Sequence, residues 1–140
     1  MMKVLATILT YILMFIGVFL SSNKNITVTA TSLINDKGKV SFVLFDKVTF
    51  MKRPLKSKRE LIIGGKSTVT FENLKKGEYS VVCFHDKNNN DIIDFDENGV
   101  QIEEFASTKH RLIFGINTFE NSKFSLGDEN LNLEINFQNI

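Results

Sequence analysis

Tyr79-Ser80-Val81-Val82-Cys83-Phe84 decides the reading of the fold. Val, Tyr and Phe favour a pleated ladder, and apolar groups fall on both faces, which marks a central strand covered on both sides. Working outward, Ile26, Val28 and Ala30 alternate with Thr27, Thr29 and Thr31. Val40, Phe42 and Leu44 alternate with Ser41, Val43 and Phe45, so this run also belongs inside a sheet. Leu131, Leu133, Ile135 and Phe137 alternate with Asn132, Glu134 and Asn136. Shorter strands read at 60–63 and 68–71. Asn35-Asp36-Lys37-Gly38, Gly64-Gly65 and Leu74-Lys75-Lys76-Gly77 supply turns, because Gly, Asn and Asp tolerate the backbone angles a reversal needs. A single helical turn is expected at 118–122, capped by Asn117 or Thr118. Strands at this spacing predict an all-β, antiparallel β-sandwich of about seven strands. Two stretches read as long and irregular, Lys47 to Lys58 and Asp86 to Lys109.

The chain has 140 residues, enough for one domain. Its first 22 residues hold 16 apolar side chains and one charge, Lys3, and end on Ser21-Ser22. A basic start, an apolar run and small residues at its close describe a signal peptide, which sends the domain at 23–140 to the periplasm, cell surface or exterior. An uncleaved anchor is the alternative reading, since the run from Val4 to Leu20 is at the short limit for crossing a bilayer. Membrane contact is expected only through that leader. The remainder carries 16 basic and 16 acidic side chains. That balance argues against a general nucleic-acid binder, which needs a basic excess. One cysteine excludes an internal disulfide, a CxxC redox pair and a cysteine-based zinc site.

Chemistry concentrates after the central strand. With Asp86 as position 1, oxygen side chains fall at 1 (Asp86), 3 (Asn88), 5 (Asn90), 9 (Asp94) and 12 (Glu97), and Ile92 at 7 offers a backbone carbonyl. This is the ligand spacing of an EF-hand-type calcium loop, in which a tightly wound segment aims hard oxygens inward. Position 6, ordinarily glycine, is Asp91, so a non-glycine residue is expected in the left-handed region at a cost of about 1 kcal/mol. Three carboxylates and two amides predict weak, structural Ca2+ binding at 86–97, in the range of about 0.1–1 mM typical of extracellular modules. The competing reading is an Asn/Asp-rich turn held by its own hydrogen bonds.

Gly77-Glu78-Tyr79 followed by Phe84-His85-Asp86-Lys87-Asn88-Asn89-Asn90 resembles the core of a family of exported bacterial proteins known as domain of unknown function 2141. Pro54-Leu55-Lys56 and the segment from Thr118 to Phe124 resemble further landmarks of it. The resemblance covers about residues 26–137. It implies a transthyretin-like or immunoglobulin-like sandwich, exported, with no established activity. The family usually has glycine where this chain has Asp91, and a Gly/Phe/Asn-rich segment where it reads Glu103-Glu104-Phe105-Ala106-Ser107.

Other candidates read as structural. Cys83 is expected in the core as a small hydrophobe. His85 and His110 match no zinc spacing, and His85 is expected to bond across the neck of the long loop. No GxSxG motif occurs. The basic stretch Lys47, Lys52, Arg53, Lys56, Lys58 and Arg59 is expected to be a solvated loop anchored by Pro54 and Leu55. The expected function is a binding or structural module rather than an enzyme, its partner a cell-surface protein or glycan. The alternative is a secreted hydrolase using loop carboxylates with His85 or His110.

Overall fold

The computed structural model describes residues 23–109 and 118–137. The expected leader at 1–22, His110 and the alternative cap Asn117 lie outside these residues. Among the described residues, eight strands form two facing sheets: β1 (Lys24–Thr31), β2 (Lys39–Phe45), β3 (Lys56–Leu61), β4 (Ser67–Leu74), β5 (Gly77–Asp86), β6 (Phe105–Ser107), β7 (Phe124–Leu126) and β8 (Leu131–Asn136). One sheet has the order β4-β1-β8 and the other β3-β2-β5-β6, with β7 pairing at the start of β5. The all-β sandwich is therefore the observed architecture. One pairing departs from the antiparallel expectation: β1 and β8 run parallel, Ile26 opposite Leu131 through Thr31 opposite Asn136. Alternation fixes which face of a strand is apolar and leaves its direction open.

The core forms where the two alternating faces meet. Ile26, Val28 and Ala30 of one sheet pack with Val40, Phe42, Leu44, Val81 and Cys83 of the other, and all are buried. β5 is interior to its sheet, as its sequence requires; Ser80 to Asp86 are buried without a break. β2 likewise lies between β3 and β5.

The third strand was expected at 60–63 and forms instead at Lys56–Leu61. Lys56 pairs with Leu44 and Leu61 with Lys39. The segment KSKREL is a sheet edge, where charged side chains facing water are favoured because they discourage pairing with other chains. Pairing with β2 overrides the missing apolar pattern, and the irregular stretch shortens to 46–55. Its expected anchors also change. Pro54 and Leu55 are exposed, while Phe50 packs edge-on between Phe45 (5.6 Å) and Phe119 (5.8 Å). Asp46 and Thr49 close the turn reciprocally: the Thr49 N–H donates to Asp46 Oδ1 at 2.8 Å, and the Asp46 N–H to Thr49 Oγ1 at 3.1 Å. The backbone and hydroxyl of Thr49 hold the Asp46 carboxyl below its usual range.

The helical turn forms as α1 (Phe119–Ser122), with Thr118 as its cap accepting the Asn121 N–H. Ser122 ties it to β5 through a 2.7 Å hydroxyl bond with Ser80. Two buried hydroxyls, Ser41 Oγ and Ser107 Oγ, have no hydrogen-bond partner among the described residues. An unsatisfied buried hydroxyl carries a desolvation penalty that alanine removes. Ser41→Ala should therefore be neutral or stabilising by up to about 1 kcal/mol in chemical denaturation. A loss larger than that would show that the hydroxyl is paired.

Candidate functional site

β5 ends at Asp86, which is fully buried and pairs with Lys39 of β2. The chain then doubles back on the Asp86 carboxylate. Oδ1 accepts the Asn90 N–H at 3.1 Å and Oδ2 accepts the Asp91 N–H at 3.0 Å. Such tight winding needs left-handed residues, and Asn89 (φ 60°) and Asp91 (φ 69°) supply them. Asp91 thus takes the conformation its position predicts, with Asp in place of the usual glycine. Asn88 Oδ1 accepts the Asn90 N–H and Asn90 Oδ1 accepts the Ile92 N–H, each at 3.1 Å. These side chains hold turns by bonding the backbone two residues on. Their amide groups then converge on Asp94: Asn88 Nδ2 donates to Oδ2 at 2.6 Å and Asn90 Nδ2 to Oδ1 at 2.8 Å.

Four of the predicted ligands, Asp86, Asn88, Asn90 and Asp94, therefore share one bonded cluster. The other two are placed differently. Ile92 has an exposed side chain and is held by its N–H on Asn90. Glu97 is exposed and makes no hydrogen bond or ion pair among the described residues. The carboxylate that closes the loop is Glu103, buried at the neck. Its Oε1 accepts the Lys87 N–H at 2.8 Å and its Oε2 the Asp94 N–H at 3.3 Å. Counting twelve positions could not find Glu103. A small hairpin intervenes, in which the Asp96 N–H donates to the Val100 carbonyl and the Ile102 N–H to the Asp94 carbonyl. It carries Glu103 back to the neck. The only signal in the sequence was an acid pair set between Ile102 and Phe105.

The Asp91 carboxylate turns away from the cluster, toward Arg59 Nε at 2.9 Å and Lys39 Nζ at 3.8 Å. It clamps the loop to β3 and β2. His85, fully buried, bonds across the neck as expected. Its Nε2 donates to the Lys37 carbonyl at 2.7 Å, and its Nδ1 lies 3.4 Å from Glu104 Oε2. Gly38 follows, at φ 72°, against the Asp86 carbonyl. Cys83 is buried in the core, and burial pushes its thiol well above the ordinary range.

The cluster mixes two carboxylates with two amides. Among the described residues, no group of three or more His, Cys, Asp or Glu could hold a metal ion. The set fits a hard cation only in part. Asp86 and Asp94 offer charge, while the Asn88 and Asn90 amides present N–H donors to Asp94. A cation would take the place of those donors, and both amides would turn their oxygens inward. No curated protein and no solved structure matches the chain. The family model described as an uncharacterised protein conserved in bacteria, domain of unknown function 2141, matches residues 28–134. That span runs from the first strand to the last and includes the whole loop, and the chain belongs to this family.

Proposed function

We infer that this protein is an exported binding or structural module whose loop at 86–97 is stabilised by weakly bound calcium, acting through contact with a cell-surface protein or glycan rather than by catalysis. The observation carrying the reading is the gathering of Asp86, Asn88, Asn90 and Asp94 at the spacing a calcium loop uses, with Asp91 in the left-handed conformation that spacing demands. Export rests on the apolar leader with its single charge. His85 is committed to bonds at the loop neck, so the hydrolase alternative gains no support from it.

Millimolar calcium should raise the melting temperature. A ligand bound only to the folded state stabilises it by RT ln(1 + [L]/Kd), about 1.4 kcal/mol at ten times Kd. Asp94→Asn keeps the shape of the side chain and removes one of the two cluster charges, so it should abolish most of that gain; in chelator it should cost up to about 1 kcal/mol, because its NH2 group faces one of the Asn88 and Asn90 amide donors in an exposed cluster. A wild-type melting curve that calcium does not move would remove the metal from this reading.

A further inference from the structure

We propose that copies of this protein associate head to tail, the acidic apolar pole of one docking on the basic apolar pole of the next. β2 runs the length of the sandwich, and its two ends define the poles. Lys39 pairs with Asp86 at one end and Phe45 with Ser80 at the other, about 20 Å apart at roughly 3.3 Å per residue. At the Asp86 end, residues 87–104 hold six carboxylates and one lysine; Asp91 is paired with Arg59 and Lys39, Glu104 with Lys87, and Glu103 is buried, which leaves Asp94, Asp96 and Glu97 without an ion-pair partner among the described residues. The same segment leaves Ile92, Phe95, Val100 and Ile102 each more than half exposed. Ile34, Leu61 and Ile63 extend that apolar surface. The contiguity is built in: the Asp36 carboxylate accepts the Gly64 and Gly65 N–H groups at 2.8 Å, and Asp91 ties the loop to Arg59.

Clusters of exposed large apolar side chains mark interaction surfaces in soluble proteins. The charge around this one names the partner. An anionic surface is repelled by it; a cationic, apolar one is attracted. The opposite pole of the same chain has that chemistry. Residues 46–55 carry three bases against one acid, and Val48, Met51 and Leu55 stand exposed among them. Asp46 is occupied by Thr49 and Lys47 by Glu120, which leaves Lys52 and Arg53 without an ion-pair partner among the described residues. Because the two surfaces differ and sit at opposite ends, their contact is heterologous and propagates as an open chain instead of closing as a two-fold dimer.

Two variants separate the poles. Lys52→Glu with Arg53→Glu reverses the charge of the basic pole, and Glu97→Lys with Val100→Lys cuts the formal charge over 87–104 from −5 to −2 while putting a charge in the apolar patch; all four side chains are exposed, and retained melting temperatures establish that each variant is folded. In sedimentation of the purified full chain, the wild type should form concentration-dependent oligomers that weaken with added salt, since exposed charges are screened beyond about 10 Å at 0.1 M. Each variant alone should stay at monomer mass, and an equimolar mixture should stop at twice that mass, one intact pole meeting the other. A monomeric wild type would overturn the proposal, as would equal association of wild type and both variants, which the leader alone would produce. Binding to zwitterionic vesicles without self-association would assign the apolar pole to a membrane and also overturn it.

Discussion

Gly38→Ala should cost about 2–5 kcal/mol, which lowers the melting temperature by roughly 8–20 °C for a domain of this size. Two effects add. Gly38 sits at φ 72°, where a side chain costs about 1–2 kcal/mol. An added Cβ would also lie 2.0 Å from the Asp86 carbonyl oxygen and 2.8 Å from Lys87 Cα. Both are backbone atoms at the end of a buried strand, so no rotamer change relieves the contact; the end of β5 or the 35–38 turn must move. Overpacking of this kind costs about 1–3 kcal/mol even where side chains can give. Gly99 is the matched control. It has φ 76° and nothing within 4 Å of its added Cβ, so Gly99→Ala should show only the backbone strain of about 1–2 kcal/mol. Equal losses in the two variants would refute the close approach. Since the displaced atoms lead directly into Asp86, Gly38→Ala should also blunt any calcium-dependent gain, while Gly99→Ala should leave it intact.

What the sequence disclosed follows from which forces act locally. β1, β2, β5 and β8 declare themselves because burial on one or both faces writes a period of two into the side chains. The charged edge β3 has no such signature; it exists because β2 offers it a ladder. The three-residue strands β6 and β7 are likewise created by the flanks of β5. The parallel β1–β8 pairing depends on chain direction, which alternation does not encode. In the loop, residues that bond their near neighbours were legible: Asp86, Asn88, Asn90 and Asp94 by spacing, and Asp91 by the conformation its position requires. Glu103, Lys37 and Gly38 were not, because they reach the neck through a hairpin and a separate turn. Glu97 shows the converse, a residue at the right count that the intervening chain carries elsewhere.

Asp86→Ala should destabilise the protein by about 2–4 kcal/mol even with chelator present. Hydrogen bonds to a charged acceptor contribute about 1.5–3 kcal/mol each, and this carboxylate accepts two, from the Asn90 and Asp91 amides. The loss falls below the full sum because Asn90 and Asp91 are exposed, and water can take over their N–H groups. Asp86 itself is fully buried, so the truncated side chain leaves a void at the loop neck. Asp86→Asn should lose less, about 1–2 kcal/mol, because one amide oxygen can still accept while the NH2 group faces a second donor. The site of damage is as informative as its size. Hydrogen exchange should accelerate at residues 88–94 first, as local opening of the loop, before the amides of β2 and β5 respond. Metal-independent loss confined to the loop means that the Asp86 carboxylate winds this segment by itself, and that any cation finds a turn already formed. Full stability of Asp86→Ala in chelator would mean the reverse: the two amide bonds contribute nothing to the stability of the fold.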